Sequence, residues 1–135
     1  MTNESNLAPE RLIFCCSGAS NVGALSFLVA IRLAQDGFGV FSCIAGIGSN
    51  NLAMIQAAKS NGEIVVIDGC PTGCARKIID LNLIPIDRYV MITELGIGKM
   101  HNFDVDENDI ETVIEEVKRS QKDAHPSPMG FDIIR

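Results

Sequence analysis

Three short apolar runs in this chain each lead into a cysteine with glycine close by, and they recur at an even interval. Arg11-Leu12-Ile13-Phe14 runs into Cys15-Cys16-Ser17-Gly18, Phe38-Gly39-Val40-Phe41-Ser42 into Cys43, and Glu63-Ile64-Val65-Val66-Ile67 into Asp68-Gly69-Cys70. Cys16 to Cys43 and Cys43 to Cys70 are equal steps of 27 residues, close to the ~30 residues of one βαβ unit. Apolar runs of this length, bounded by turn residues, read as buried strands. Strands alternating with helices build an α/β fold on a parallel sheet. Successive strand ends therefore deliver thiols to one edge, the edge at which open α/β sheets bind ligands.

The intervening segments complete the pattern. A helix is expected from about Ser20 or Asn21 to Gln35, dense in Leu25, Leu28, Val29, Ile31 and Leu33 and stopped by Asp36-Gly37. A second is expected from about Asn50 to Lys59, capped by Ser49 or Asn50. A third opens at Pro71, whose missing N–H is harmless in a first turn, and runs to about Asn82. That start would stack Cys70 and Cys74 one turn apart on one face. A fourth strand is expected over Arg88–Thr93. The last helix, about Asp106 to Lys122, carries Ile110, Val113, Ile114 and Val117 on one stripe, with acids early and bases late. The predicted fold is one α/β domain over residues 1–135. It is a three-layer sandwich with a mostly parallel four-stranded sheet, helices on both faces and a flavodoxin/Rossmann-like strand order. Residues 1–9 read as a flexible lead-in and about 124–135 as a flexible tail.

Bulk properties narrow the function. A chain of 135 residues suits one self-sufficient core. A net charge of −6, no basic run and no Trp disfavour nucleic acid or an anionic membrane as partner. No apolar stretch reaches the ~18 residues of a membrane span. The N-terminus lacks the basic start and apolar core of a signal peptide, so a cytoplasmic location is expected. Five cysteines is an odd number, and in a reducing compartment thiols or metal ligands are favoured over a disulfide framework.

Several residues are candidates for chemistry. The loop Gly18-Ala19-Ser20-Asn21-Val22-Gly23 precedes a helix, where backbone N–H groups can hold a small anionic ligand; Gly18, Ser20, Asn21 and Gly23 are the candidates. The alternative is a tight turn with close helix–sheet packing. Ala24-Leu25 follow Gly23 where a nucleotide P-loop needs Lys-Ser/Thr, and no G-x-G-x-x-G is present. Cys16 at that helix start could be a nucleophile. A phosphatase loop is disfavoured, because the sixth residue after Cys16 is Val22 and after Cys15 is Asn21, neither of them Arg. Cys70 and Cys74 enclose three residues, where a thioredoxin-like pair encloses two. Asp68 could bond loop amides, His101 reads as a solvated loop residue, and Asp80 and Glu94 read as surface or cap residues.

Cys16-Ser17-Gly18 with Gly23, Cys43 with Ala45-Gly46-Ile47-Gly48, and Asp68-Gly69-Cys70-Pro71 with Cys74-Ala75 together resemble the DGC family, over about Phe14 to Lys99. Members of that family carry four potential chelating cysteines and are described as zinc-binding, with no assigned reaction. The resemblance implies Cys16, Cys43, Cys70 and Cys74 as the metal ligands and leaves Cys15 outside the set. Zinc is chemically apt, since four thiolates satisfy its tetrahedral preference. Four cysteines also hold iron–sulfur clusters, and the sequence does not separate the two. Four thiolates on Zn²⁺ leave a charge near −2, which helix amides and Arg76 or Lys77 could offset. A closed four-thiolate site implies a structural or binding role, whereas three ligands leave a position open to water or substrate. The alternatives are a thiol-dependent or iron–sulfur redox protein, or an enzyme binding small anions at Gly18–Gly23.

Overall fold

The computed structural model describes residues 10–60 and 62–120. Four strands, β1 (Arg11–Cys15), β2 (Val40–Phe41), β3 (Glu63–Asp68) and β4 (Arg88–Met91), form one sheet in the order β2-β1-β3-β4. Every pairing is parallel, with Ile13 opposite Phe41 and Val65, and Val66 opposite Tyr89. The order is that of a flavodoxin-like sheet one strand short. The helices are α1 (Asn21–Gln35), α2 (Ile44–Gly48), α3 (Leu52–Ser60), α4 (Cys74–Leu81) and α5 (Glu107–Arg119).

The pleat sends alternate residues to opposite faces and so builds two cores. Ile13, Cys15, Val65 and Ile67 pack with Leu25, Val29 and Leu33 of α1 and with Ile110, Val113 and Val117 of α5. Leu12, Phe14, Ile64 and Val66 pack with Ile47 of α2, Ile55 of α3 and Ile79 of α4. Both faces of β3 are buried, which is why its sequence is continuously apolar. The result is the expected α/β sandwich.

Four local expectations are corrected. Strand β2 is only two residues long, and the glycine-rich turn after it contains helix α2. Gly46 of α2 packs against the Met54 side chain of α3, with the site of a Cβ 2.2 Å from Met54 Sδ. The cap of α3 is Asn51, whose Oδ1 accepts from the Met54 amide at 3.2 Å, while Asn50 takes a left-handed φ of 68°. The third predicted helix starts at Cys74 rather than Pro71, because Gly73 adopts φ 64° and breaks helical continuity before it. Cys70 therefore lies in a loop, and no helix face is shared with Cys74. Strand β4 stops at Met91, and Ile92–Leu95 form a 3-10 turn whose Thr93 amide donates to Gly69 O at 3.1 Å. That bond draws the chain across the top of the sheet toward the loop after β3.

Helix α1 runs as predicted, with Ser20 Oγ accepting from the Gly23 amide and Gly37 left-handed just past its end. Helix α5 is capped by Asp106 and ends in Lys118 and Arg119. The segments 1–9 and 124–135 lie outside the described residues. No helix among the described residues is long and apolar enough to cross a membrane.

Candidate functional site

With β1 and β3 central, the chain leaves the top of β1 into α1 on one face and the top of β3 into α4 on the other. A crevice opens between the two departing loops, at the switch point where α/β sheets bind ligands. It contains a cavity of about 210 Å³, walled by Cys16 and Gly18–Ser20 from the β1 loop and by Asp68–Cys70 and Thr72–Cys74 from the β3 loop. Lys99, from the loop after the 3-10 turn, completes the wall.

The β1 loop is fixed by close packing. A Cβ on Gly23 would lie 2.1 Å from Gly18 O, so both ends of the loop touch. Ser26, fully buried one turn into α1, donates to Gly23 O at 2.7 Å, accepts from the Ser17 amide at 3.1 Å and sits 3.4 Å from Cys16 Sγ. Ser17 takes φ 52°, which turns the chain immediately after the two cysteines. Cys15 points into the α1–α5 core, and burial first of all pushes its thiol above the ordinary value. Cys16, on the opposite side of the pleat, faces the crevice.

The β3 loop is closed by Asp68. Its carboxylate, 1% exposed, accepts from the amides of Ala75 (2.9 Å) and Arg76 (3.0 Å) and from the Tyr89 hydroxyl (2.9 Å). The last residue of β3 thereby ties down the first turn of α4, and the segment carrying Cys70 and Cys74 is bracketed between them. Burial raises the Asp68 carboxyl above the usual range, against the pull of the Arg76 and Ala75 amides. Arg76 is itself buried over the Tyr89 ring, with Nε 3.6 Å from Asp80 Oδ2, so Asp80 is an interior partner and not a surface residue.

The thiols differ in environment. Cys70 is held below its ordinary value, first by Thr72, whose Oγ1 is 3.5 Å away, and further by Lys99, whose Nζ is 3.6 Å away. Cys74 is pushed up by desolvation, then by the Asp68 carboxylate and by Cys16 and Cys70, with Lys77 opposing. Of the four cysteines in the expected ligand set, Cys16, Cys70 and Cys74 share the crevice. Cys43 is exposed and lines a neighbouring cavity of about 480 Å³ with Cys15, Cys16, Phe27 and Phe41. Strand order explains the division: β2 lies beyond β1, two strand spacings or roughly 10 Å from β3. Among the described residues, no three His, Cys, Asp or Glu side chains stand close enough together to hold a metal as they are oriented. Three thiols of the donor type that zinc takes thus line one cavity without standing as a ligating cluster.

The glycine loop serves several purposes at once. Ser20 caps α1, and Gly18 and Gly23 interlock. The Asn21 amide donates to Met100 O at 3.2 Å, while its side chain donates to Gly98 O at 2.8 Å and accepts from the Met100 amide at 2.6 Å. His101 is exposed and lines neither cavity. Sequence reasoning missed Ser26, Tyr89 and Lys99. Ser26 had a signal, being a polar residue in the apolar stripe of α1; Lys99 had none before the loop was placed.

These features can be set against known proteins. A family model described as the DGC domain matches residues 12–117. The chain belongs to the DGC family. It is also similar to the anaerobic and virulence modulator AnvM of Pseudomonas aeruginosa strain PAO1, with 31% identity over 111 residues, covering 82% of this chain and 85% of that protein. No solved structure gives a significant match. All four cysteines of the DGC resemblance lie within the matched span.

Proposed function

We propose that this DGC-family protein is a metal-binding protein whose centre is the crevice between the β1 and β3 loops. Zinc is the first candidate and Cys16, Cys70 and Cys74 are the core ligands. The observation that carries the reading is the convergence of three soft donors from two separate loops on one cavity at the switch point of the sheet. Bound there, zinc would cross-link the loops and, with three thiolates, keep a fourth position for Cys43 or an exogenous ligand. Asp68 would hold the segment bearing two of the ligands, and Lys77 and Lys99 would offset thiolate charge. The name of the AnvM relative, a modulator, supports a regulatory use of the centre over turnover.

The test is elemental analysis and the visible spectrum of protein purified without added metal or a His-tag. About one zinc per chain, no colour, and loss of metal in Cys70→Ser are expected. Brown, iron-containing protein would move the centre to an iron–sulfur role. No metal after anaerobic purification would refute metal binding and leave a thiol-dependent protein. Rapid labelling of one or two of the four cysteines would then identify the reactive thiols.

A further inference from the structure

Lys99 is an exposed lysine on a loop, of a kind that ordinarily samples many positions. Here its backbone is gripped on both sides. Asn21 makes three hydrogen bonds to the segment, one to Gly98 O and two to the backbone of Met100, so the residue between them is fixed against the first turn of α1. The grip joins elements far apart in sequence, and from the backbone so held the Lys99 ammonium reaches to 3.6 Å from Cys70 Sγ on the wall of the cysteine cavity. No other Lys or Arg lines that cavity among the described residues. In a chain of net charge −6, one cation stands over an opening lined otherwise by three thiols, glycine-rich backbone and the Asp68 carboxylate, whose oxygens are engaged by Ala75, Arg76 and Tyr89.

Two uses of that cation differ in consequence. It can serve Cys70, which lines the same cavity, or a group bound within that cavity. The cavity of about 210 Å³ is far larger than the ~15 Å³ that one water needs by the same kind of measure. It accommodates a group of several heavy atoms between the ammonium, the Gly18–Ser20 backbone and the thiols. An ammonium on a flexible stem recognises an anion as a point charge without demanding planarity.

We propose that the cavity binds a small oxyanion, the carboxylate or phosphate group of a small molecule. Lys99 is its counter-charge and Asn21 the positioning residue that keeps Lys99 in place. The inference rests on the reading of this cavity as the functional centre, and it does not depend on which metal the thiolates hold. Asn21 then contributes to anion binding indirectly, as the brace, with both its backbone N–H and its side chain already engaged.

Inorganic phosphate and acetate are the probes, titrated by calorimetry into full-length protein, once as purified and once after chelation, with metal content measured on each sample. Saturable binding of at least one probe is expected. Lys99→Met should weaken it about 10- to 100-fold, the range for a lost charge-assisted bond. Lys99→Arg should retain most of it. Asn21→Ala should weaken it several-fold while leaving Cys70 and Cys74 able to bind whatever metal the wild type holds. Lys99 is exposed, so its variants are expected to fold; far-UV circular dichroism checks this for both positions. Binding of neither probe to either sample, or binding unchanged in Lys99→Met, overturns the proposal. Zinc-replete protein that binds no anion sinks this inference alone. Metal-free protein with Lys99-dependent anion binding sinks only the metal reading.

Discussion

Replacing Asp68 should damage the protein in a way that depends on Tyr89. Asp68→Ala removes the acceptor of three bonds of 2.9–3.0 Å and strands two amides at the buried start of α4. Each buried donor left without its partner costs about 1–3 kcal/mol, so the expected loss is about 3–5 kcal/mol. That is a large part of the ~5–15 kcal/mol of a whole domain. Tyr89→Phe removes a single neutral donor from a carboxylate that keeps its two amides, at about 1 kcal/mol. The informative comparison is the double variant. Once the carboxylate is gone, the hydroxyl has lost that bond, and Tyr89→Phe should cost less in the Asp68→Ala background than in the wild type. A coupling of up to ~1 kcal/mol follows, to be read against the ~0.3–0.5 kcal/mol scatter of independent sites. The assay is urea unfolding of reduced, chelated protein by far-UV circular dichroism, comparing midpoints at constant slope. Chelation keeps metal linkage out of the numbers. Additive effects of the two substitutions, or a cost for Asp68→Ala below ~1 kcal/mol, would refute the idea that one carboxylate holds the cysteine loop to the sheet.

Three further outcomes are expected. Gly23→Ala should cost about 3 kcal/mol or more, because the new Cβ would meet Gly18 O at 2.1 Å and backbone must move; Gly98→Ala, with open space around it, should stay within ~0.5 kcal/mol by thermal melting. Burial would raise Glu63, but the guanidiniums of Arg11 and Arg88 more than reverse this and hold it below the usual carboxylate range. Its stabilisation is therefore present above the unfolded value near ~4.3 and is lost as pH falls through the lower folded value. Glu63→Gln should flatten that acid limb in a pH series of melts; an unchanged limb would exclude the pair. Thiol labelling of metal-loaded native protein should reach Cys43 first and Cys15 last, since the one is exposed and the other buried in the core. Equal protection of Cys43 and Cys70 would instead make Cys43 a full ligand.

The layers of the fold were legible because hydrophobic pattern carries them. The buried runs before Cys16 and Cys70, the dense stripe of α1 and the charge-graded stripe of α5 each state one face, and the sheet follows. What the sequence did not show was set by contacts between distant segments. Pro71 obeys local helix rules, yet Gly73 and the reach of Asp68 to Ala75 and Arg76 put the helix start at Cys74. Asp80 looks solvated until Arg76 is seen turned inward beneath Tyr89. The cysteine spacing correctly identified one edge of the sheet, but equal spacing along the chain is not equal spacing across it. Strand order alone places Cys43 beside a different cavity. The motif residue Asn21 lies on the loop beside the crevice, and its bonds to the backbone on either side of Lys99 join segments too far apart in sequence to be read from it.

The doubled cysteine at the top of β1 makes the sulfur that faces the crevice a matter of parity. Adjacent residues along an extended chain face opposite ways, so Cys15 is buried in one core while Cys16 opens on the crevice. A slip of β1 by a single residue would exchange them, burying Cys16 and offering Cys15, with no change in composition. The safeguard stands at the far end of the strand. Arg11 and Arg88 both grip Glu63, tying β1 and β4 to β3 in one register. Three charged residues at the lower rim thus join the two apolar faces of β1 in holding the register that presents Cys16 at the upper rim.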